Sequence, residues 1–403
     1  MKILAIETSC DETAVCVLEA TGSEHDTRFT ILGDALYSQA SKHAVFGGVY
    51  PNLAKREHAE NLVPLLVSAL KEAGMYGPFR RNLTSDQTAF LETVLVREAG
   101  LLPVLTQTLV SIERPPIDAI AVTHGPGLEP ALWVGINFAR TLAYVWDLPL
   151  VPINHLEGHL VASAVSTPPD ACHGQYILDD LQFPVLGLVL SGGHTEFVHA
   201  TAWGHYTRIG GTRDDSIGEA FDKVARLMDL PYPGGPELSR LAEKGRPALL
   251  RREIPVTKGL RTLPRPMLHS DDLDFSFSGL KTAVKYQIRD LGELNDESRM
   301  RIAAEFEQAV TEVILTKTTR ALEQYPAHAF MLGGGVSANT YLRTRLAHLF
   351  AHRGDGIPLR LPAEGLSTDN AVMIGMAGYL AHLRNAPTRH ASEELCADGN
   401  LAL

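Results

Sequence analysis

Residues 2–20 read KILAIETSCDETAVCVLEA, and the fold class turns on how this stretch divides. KILAIET (2–8) and TAVCVLEA (13–20) are apolar runs on either side of Ser9-Cys10-Asp11-Glu12. Two such runs across a short polar turn read as a β-hairpin. The turn carries two acids, Asp11 and Glu12. Such acids can serve only as turn-formers, or can orient a phosphate or a reacting group.

Further strands follow outward from this hairpin. IDAIAVT (117–123), LPLVPIN (148–154), FPVLGLVL (183–190) and AHAFML (327–332) are short apolar runs. Between them lie helical patterns at 53–74, about 130–146, from His155, from about Thr340 and over 371–384. Ser367-Thr368-Asp369-Asn370 reads as the cap of the last helix. Strands alternating with helices make the class α/β. Residues 76–116 read as an insertion with a helix at 84–99, and residues 231–275, rich in proline, glycine and arginine, as long connections. The polar tail after about 386 is expected to fray. No short repeat is present.

The chain has 403 residues, enough for two domains or two lobes. No apolar run approaches the ~18–20 residues that span a bilayer. The start lacks the features of a signal or transit peptide, which leads us to expect a cytoplasmic protein without a membrane. Cys10, Cys16, Cys172 and Cys396 form no Cys-x-x-Cys pair and no disulfide scaffold. The net charge of −11 argues against a free-standing, non-specific nucleic-acid binder. RNA bound through a local patch, or with a partner's help, stays compatible. Arg251-Arg252 and Lys258 to Arg265 are basic clusters that a solvated surface also explains.

Three strand ends carry small, polar turns: ETSCDET (7–13), LSGGHTEF (190–197) and LGGGVSAN (332–339). Glycine lets backbone approach a ligand, and successive N–H groups make an anion-binding concavity. Three such turns point to a phosphate or nucleotide site. HLEGH (155–159) places His155 and His159 on one helical face, able to share a metal. A metalloprotease would need the glutamate directly after the first histidine, where Leu156 stands; Glu157 points away. The pair is then either a metal site or two packing histidines. A metal needs a third ligand, for which Asp369 is the best candidate, although a helix cap is its simpler role.

Ten motifs run in order from residue 7 to residue 370: ETSCDET, FGGVYPNLAKREH, GPGLEPAL, NHLEGHL, LSGGHTEF, DDSIGEAFDKVAR, YPGGPELS, FSFSGLKT, GGGVSAN and STDN. Together they resemble the TsaD family of bacterial tRNA threonylcarbamoyladenosine synthase catalytic subunits, within the actin-like ATPase superfamily. The resemblance implies a two-lobed, ribonuclease H-like α/β fold with a ligand cleft between lobes. The first lobe would span 1–152 plus 366–403, and the second 153–365, carrying the metal and nucleotide motifs. It implies transfer of threonylcarbamoyl from L-threonylcarbamoyladenylate to the exocyclic amine of the adenosine 3′ of the anticodon, with AMP released. The family's metal ligands fall on His155, His159 and Asp369. Its substrate-binding positions fall on Val189, Leu190, Ser191, Gly192, Gly193, Asp222, Gly235 and Asn339. Asp11 and Glu12 match its acidic turn, with a catalytic part expected. The cofactors implied are one divalent metal, Fe(II) favoured and zinc acceptable, and a nucleotide. The partners implied are tRNA, a paralogous scaffold subunit, a small P-loop ATPase, and a separate synthase that supplies the adenylate. An actin-like kinase would share the glycine turns without needing the histidine pair. The scaffold paralogue lacks that pair.

Overall fold

The computed structural model describes residues 1–251, 261–384, 390 and 395–403. The chain opens with β1 (Lys2–Glu7), β2 (Glu12–Thr21) and β3 (Arg28–Ser38). Helices α1 (Ala40–His43), α2 (Pro51–Glu72), α3 (Ser85–Val94) and α4 (Leu101–Ser111) follow. Next come β4 (Ala119–Gly125), α5 (Glu129–Trp146), β5 (Leu150–Asn154), α6 (His155–Ser163), β6 (Val165–Ser166) and β7 (Gln175–Leu178). The second half holds β8 (Val185–Leu190), β9 (Thr195–Ala202), β10 (His205–Gly211), α7 (Ile217–Leu227), α8 (Gly234–Arg251), α9 (Ser278–Leu291) and α10 (Asp296–Gln324). β11 (Phe330–Gly333), α11 (Thr340–Arg353), β12 (Leu359–Arg360) and α12 (Ala371–Leu383) complete it. Among the described residues, no helix is long and apolar enough to cross a membrane.

Contacts divide the chain into two compact units. Met1–His43, Val49–Asp180 and Pro362–Leu403 form the first; Ala44–Gly48 and Leu181–Leu361 form the second. The boundary expected after residue 152 falls inside the first unit. Two contacts explain this: α6 packs on α12, and β7 pairs with β3. The metal-type motif therefore belongs to the first unit, while the glycine turns at 190–197 and 332–339 belong to the second.

Both units use one plan. In the first sheet the order is β5-β4-β1-β2-β3-β7-β6, and in the second β10-β9-β8-β11-β12. The hairpin expected from residues 2–20 is present, with Ile6 opposite Val15 and Glu7 opposite Ala14. β1 is antiparallel to β2 and parallel to β4; β8 is likewise antiparallel to β9 and parallel to β11. The doubled arrangement is the actin-like, ribonuclease H-like α/β fold. Strands covered on both faces should be apolar throughout rather than alternating. β8, VLGLVL, is buried at every position.

In the first unit, Leu4, Ile6, Val15 and Val17 meet Leu62 and Leu66 of α2 and Phe138 of α5. α12 covers the other face of β1 and β2. Gly33 allows α2 to lie against β3: a Cβ there would sit 2.2 Å from the Ala69 carbonyl oxygen. In the second unit, Leu186, Leu188 and Leu190 pack with Phe221 and Val224 of α7 and with Phe306 and Val310 of α10.

Three expectations change. The insertion holds two helices instead of one, because Thr84 starts α3 with a reciprocal capping box with Gln87, and the first helix ends at Val94. Residues 234–251 form α8, whose Leu238 and Ala242, four apart, are buried on one face. The end of the tail does not fray. Leu395 is buried, the Asp398 N–H donates to the His124 carbonyl at 2.9 Å, and the Asn154 amide donates to the Ala402 carbonyl at 3.0 Å. Of the basic clusters, Arg265 is paired with Glu305 and Glu312, both at 2.6 Å, whereas Arg252 and Lys258 lie outside the described residues.

Gly33→Ala forces a backbone clash that no side-chain rotation relieves. It should cost about 1–3 kcal/mol of stability, the usual range for overpacking, read as a lower urea midpoint at unchanged slope.

Candidate metal centre and acidic turn

α6 begins where β5 ends. Asn154 caps it, accepting the Leu156 N–H at 2.9 Å. The helix then presents His155 and His159 one turn apart, with ring centroids 4.7 Å apart and edge to face. Between them, Gly158 touches α12: a Cβ would meet the Ile374 Cδ1 at 3.0 Å. The small residue brings α6 close enough to α12 for the histidines to reach the loop before it.

Asp369 lies in that loop. The cap of α12 is Asn370, which accepts the Met373 N–H at 2.9 Å. Asp369 is thus not needed as a cap. Its Oδ1 lies 3.0 Å from the His159 Nε2 and 3.5 Å from the His155 Nε2. One ligand atom from each of the three residues falls within 4.8 Å of the others. Two imidazole nitrogens and a carboxylate oxygen converging this closely fit a divalent cation. Glu157 leaves the cluster and pairs with Arg384 at 3.0 Å, so it does not stand beside the histidines as a metalloprotease base would.

A fourth group was not singled out by the sequence. Glu7, the last residue of β1, is wholly buried and lies with Oε2 3.1 Å from the His155 Nδ1. It also accepts the Thr123 hydroxyl at 2.6 Å and the Ser9 N–H at 2.5 Å. A carboxylate on Nδ1 holds the His155 proton on that side and turns Nε2 toward Asp369, the usual second contact of a ligating histidine. A buried acid ending an apolar strand was the available signal. Burial alone would raise the Asp369 carboxyl, but His155 and His159 hold it well below the usual carboxylate range. Burial would also lower His155, yet Asp369 and Glu7 raise it well above its ordinary value. Burial keeps His159 low.

Asp11 and Glu12 stand in the same unit, at the hairpin turn. Burial raises both, and repulsion from Asp369 adds to it; Asp11 also repels Glu12, which is carried to about 9. An acid held protonated beside a second carboxylate can donate or accept a proton near neutral pH.

The other candidate residues lie in the second unit, at the ends of β8 and β11 and, for Asp222 and Gly235, at the α7–α8 junction. Val189 and Leu190 end β8, and Ser191, Gly192 and Gly193 turn away from it. The Ser191 hydroxyl oxygen accepts the Gly193 and His194 N–H groups at 3.3 and 3.0 Å. A Cβ at Gly192 or Gly193 would meet nothing within 4 Å, so the turn's backbone stays open to a ligand. Asp222 accepts the Gly234 and Gly235 N–H groups at 2.8 and 3.2 Å, tying α7 to the start of α8. Asn339 caps α11 through the Leu342 N–H at 2.8 Å, and its amide donates to Ser239 and Glu307.

The model of the TsaD family, tRNA N6-adenosine threonylcarbamoyltransferase, matches residues 30–77 and 99–376. The chain belongs to this family. The unmatched stretch between the two segments contains α3, inside the expected insertion. A tRNA N6-adenosine threonylcarbamoyltransferase of Bacillus cereus is 40% identical over 381 residues, covering 94% of this chain and 91% of the relative. One from Bacillus anthracis matches to the same extent. Among solved structures, the Acidaminococcus fermentans (R)-2-hydroxyglutaryl-CoA dehydratase component A is 10% identical with a TM-score of 0.47, over 96% of this chain and 99% of that one. YeaZ from Pseudomonas aeruginosa is 13% identical with a TM-score of 0.25, over 52% of this chain and 65% of that one. Membership of the family implies a metal and a nucleotide, and the His155–His159–Asp369 group could hold the former.

Glu7→Gln keeps the shape but loses the carboxylate on His155. Metal affinity, read by competition with a chelator, should fall about 10–100-fold, the scale on which outer partners of ligating histidines act.

Proposed function

We propose that the chain transfers the threonylcarbamoyl group of L-threonylcarbamoyladenylate to N6 of the adenosine 3′ of the anticodon. The tRNAs are those reading codons that begin with adenine, and AMP is released. Family membership across nearly the whole chain carries this reading. The buried histidine pair with Asp369 distinguishes the chain from the scaffold paralogue.

His155, His159 and Asp369 hold the metal. This donor set with open positions suits Fe(II), and zinc takes the same ligands. When bound, the metal supplies Lewis acidity toward a carbonyl or carboxylate oxygen. Val189, Leu190 and the Ser191-Gly192-Gly193 turn bind the adenylate, the two glycines leaving room for its phosphate to approach the backbone. Asp222 and Gly235 at the α7–α8 junction, and Asn339 at the start of α11, complete that binding set. The N6 amine attacks the carbamoyl carbonyl carbon, a C–N bond forms, and the bond from that carbon to the phosphate oxygen breaks. AMP leaves with the bonding pair. The N6 proton passes to Asp11, with Glu12 as its partner in the acidic turn. An adenine amine is a weak nucleophile, so positioning supplies much of the rate.

A chain of net charge −11 needs help to bind tRNA. A paralogous scaffold subunit and a small P-loop ATPase fit that need. A separate enzyme makes the adenylate, and the proposed place of action is the cytoplasm.

The decisive assay is nucleoside mass spectrometry of unmodified tRNA incubated with this chain, its partner subunits, metal and the adenylate. Threonylcarbamoyladenosine should form with the wild type and be lost with His155→Ala. Asp11→Asn should slow its formation roughly 10²–10⁴-fold, the range of general acid–base catalysis. A wild-type preparation that forms none sinks the transferase reading.

A further inference from the structure

His58 lies on α2, at the end of the FGGVYPNLAKREH motif, and is fully buried. It touches none of the proposed metal ligands, and the reaction as written does not use it. Its surroundings nevertheless lead directly to the acidic turn.

The imidazole Nε2 lies 3.0 Å from the Cys10 carbonyl oxygen. A carbonyl can only accept, so Nε2 carries the proton and Nδ1 carries the lone pair. The Thr13 hydroxyl, 2.7 Å from Nδ1, therefore donates to it. The Gln39 amide nitrogen lies 3.3 Å from both the His58 Nδ1 and the Thr13 oxygen, which, with its proton committed, accepts the amide N–H. The Gln39 amide oxygen accepts from the His43 Nε2 at 3.0 Å. The His43 Nδ1 accepts the Tyr50 backbone N–H at 3.2 Å. Five hydrogen bonds thus run one way, from the Tyr50 N–H to the Cys10 carbonyl. The backbone groups at the two ends set the direction and so set both histidine tautomers.

Thr13, Gln39, His43 and His58 have no exposure to water. Burial lowers His43 and carries His58 down to about 4, so neutral rings preserve the direction of the chain near neutral pH. The relay ends on the residue before Asp11. A second bond grips the next one: the Gln39 N–H donates to the Asp11 carbonyl at 2.9 Å. The backbone of Cys10 and Asp11 is therefore held from behind by two donors.

We propose that His58 is a positioning residue for the Asp11–Glu12 turn. Oriented by Thr13, it fixes the Cys10 carbonyl and with it the direction in which the two carboxylates project. The inference rests on the reading that Asp11 and Glu12 face the reaction. It adds that their placement is imposed from α2 by a directed relay of hydrogen bonds.

The test is the single-turnover rate of threonylcarbamoyl transfer with partner subunits, saturating adenylate and saturating tRNA. Metal content and tRNA affinity are measured on the same samples. His58→Phe should lower the rate about 100-fold, the scale expected when reacting groups are misplaced by about 1 Å. Metal stoichiometry and tRNA affinity should stay within about twofold, set against that loss. His58→Gln, which can accept from Thr13 and donate to Cys10, should recover at least a third of the lost decades. Thr13→Val removes only the orienting hydroxyl and covers the case in which His58→Phe fails to fold. In ¹⁵N-histidine NMR the wild type should show His58 as the Nε2–H tautomer. A wild-type rate in folded His58→Phe or in Thr13→Val overturns the inference, as does a rate loss matched by loss of metal. So does a His58→Gln no better than phenylalanine. Asp11→Asn and Glu12→Gln run alongside. If both retain full rate, the reading of the acidic turn fails and takes this inference with it. If they are slow while His58→Phe is fast, only the role of His58 fails.

Discussion

A carboxylate without access to water needs partners, and Glu7 has three drawn from different parts of the chain. Ser9 meets it from the hairpin turn, Thr123 from β4 and His155 from α6. An uncompensated buried charge costs several kcal/mol, so this group cannot move without breaking all three contacts at once. The end of β1, the neighbouring parallel strand and the helix of the histidine pair are consequently tied at one point. The histidine turned by Glu7 is also the one that Glu7 and Asp369 share, which makes structural and chemical demands coincide on a single ring.

The approach of α6 to α12 adds the second constraint. Two histidines at positions i and i+4 share a face by helix geometry alone. Their meeting with Asp369 depends on Gly158 lying against Met373 and Ile374. It also depends on Asn370 taking the cap of α12. A cap at Asp369 would have spent its carboxylate on backbone N–H groups.

The two units repeat a topology but differ in chemistry. In the first, polar side chains are buried and mutually bonded, down to the Thr13–Gln39–His58 group behind the acidic turn. In the second, Gly192, Gly193 and Gly335 at the strand ends have open space beside them. Buried, fully partnered side chains suit groups that must be held in one orientation. Glycines with free space beside them let a ligand that must enter and leave approach the backbone. Asp222 and Asn339 act there as braces: each secures the start of a helix beside the turns.

Much was legible in the sequence because it is local. Strand runs, glycine turns and the spacing of His155 and His159 depend on residues a few positions apart, and the ten ordered motifs made the family recognisable. The company each residue keeps was not local. Asp369 joins histidines more than two hundred positions away, and Glu7 looked like one more letter of the ETSCDET motif. The histidine-bearing helix reads equally well as the start of a second lobe, yet its packing on α12 assigns it to the first. The end of the tail reads as polar surface until its N–H and C=O groups find His124 and Asn154. The sequence by itself determined the α/β class, the hairpin and the residue types at the candidate site. Only the tertiary structure decided which of them meet, because hydrogen bonds to buried carboxylates and close helix contacts form between segments whose spacing along the chain carries no periodic trace.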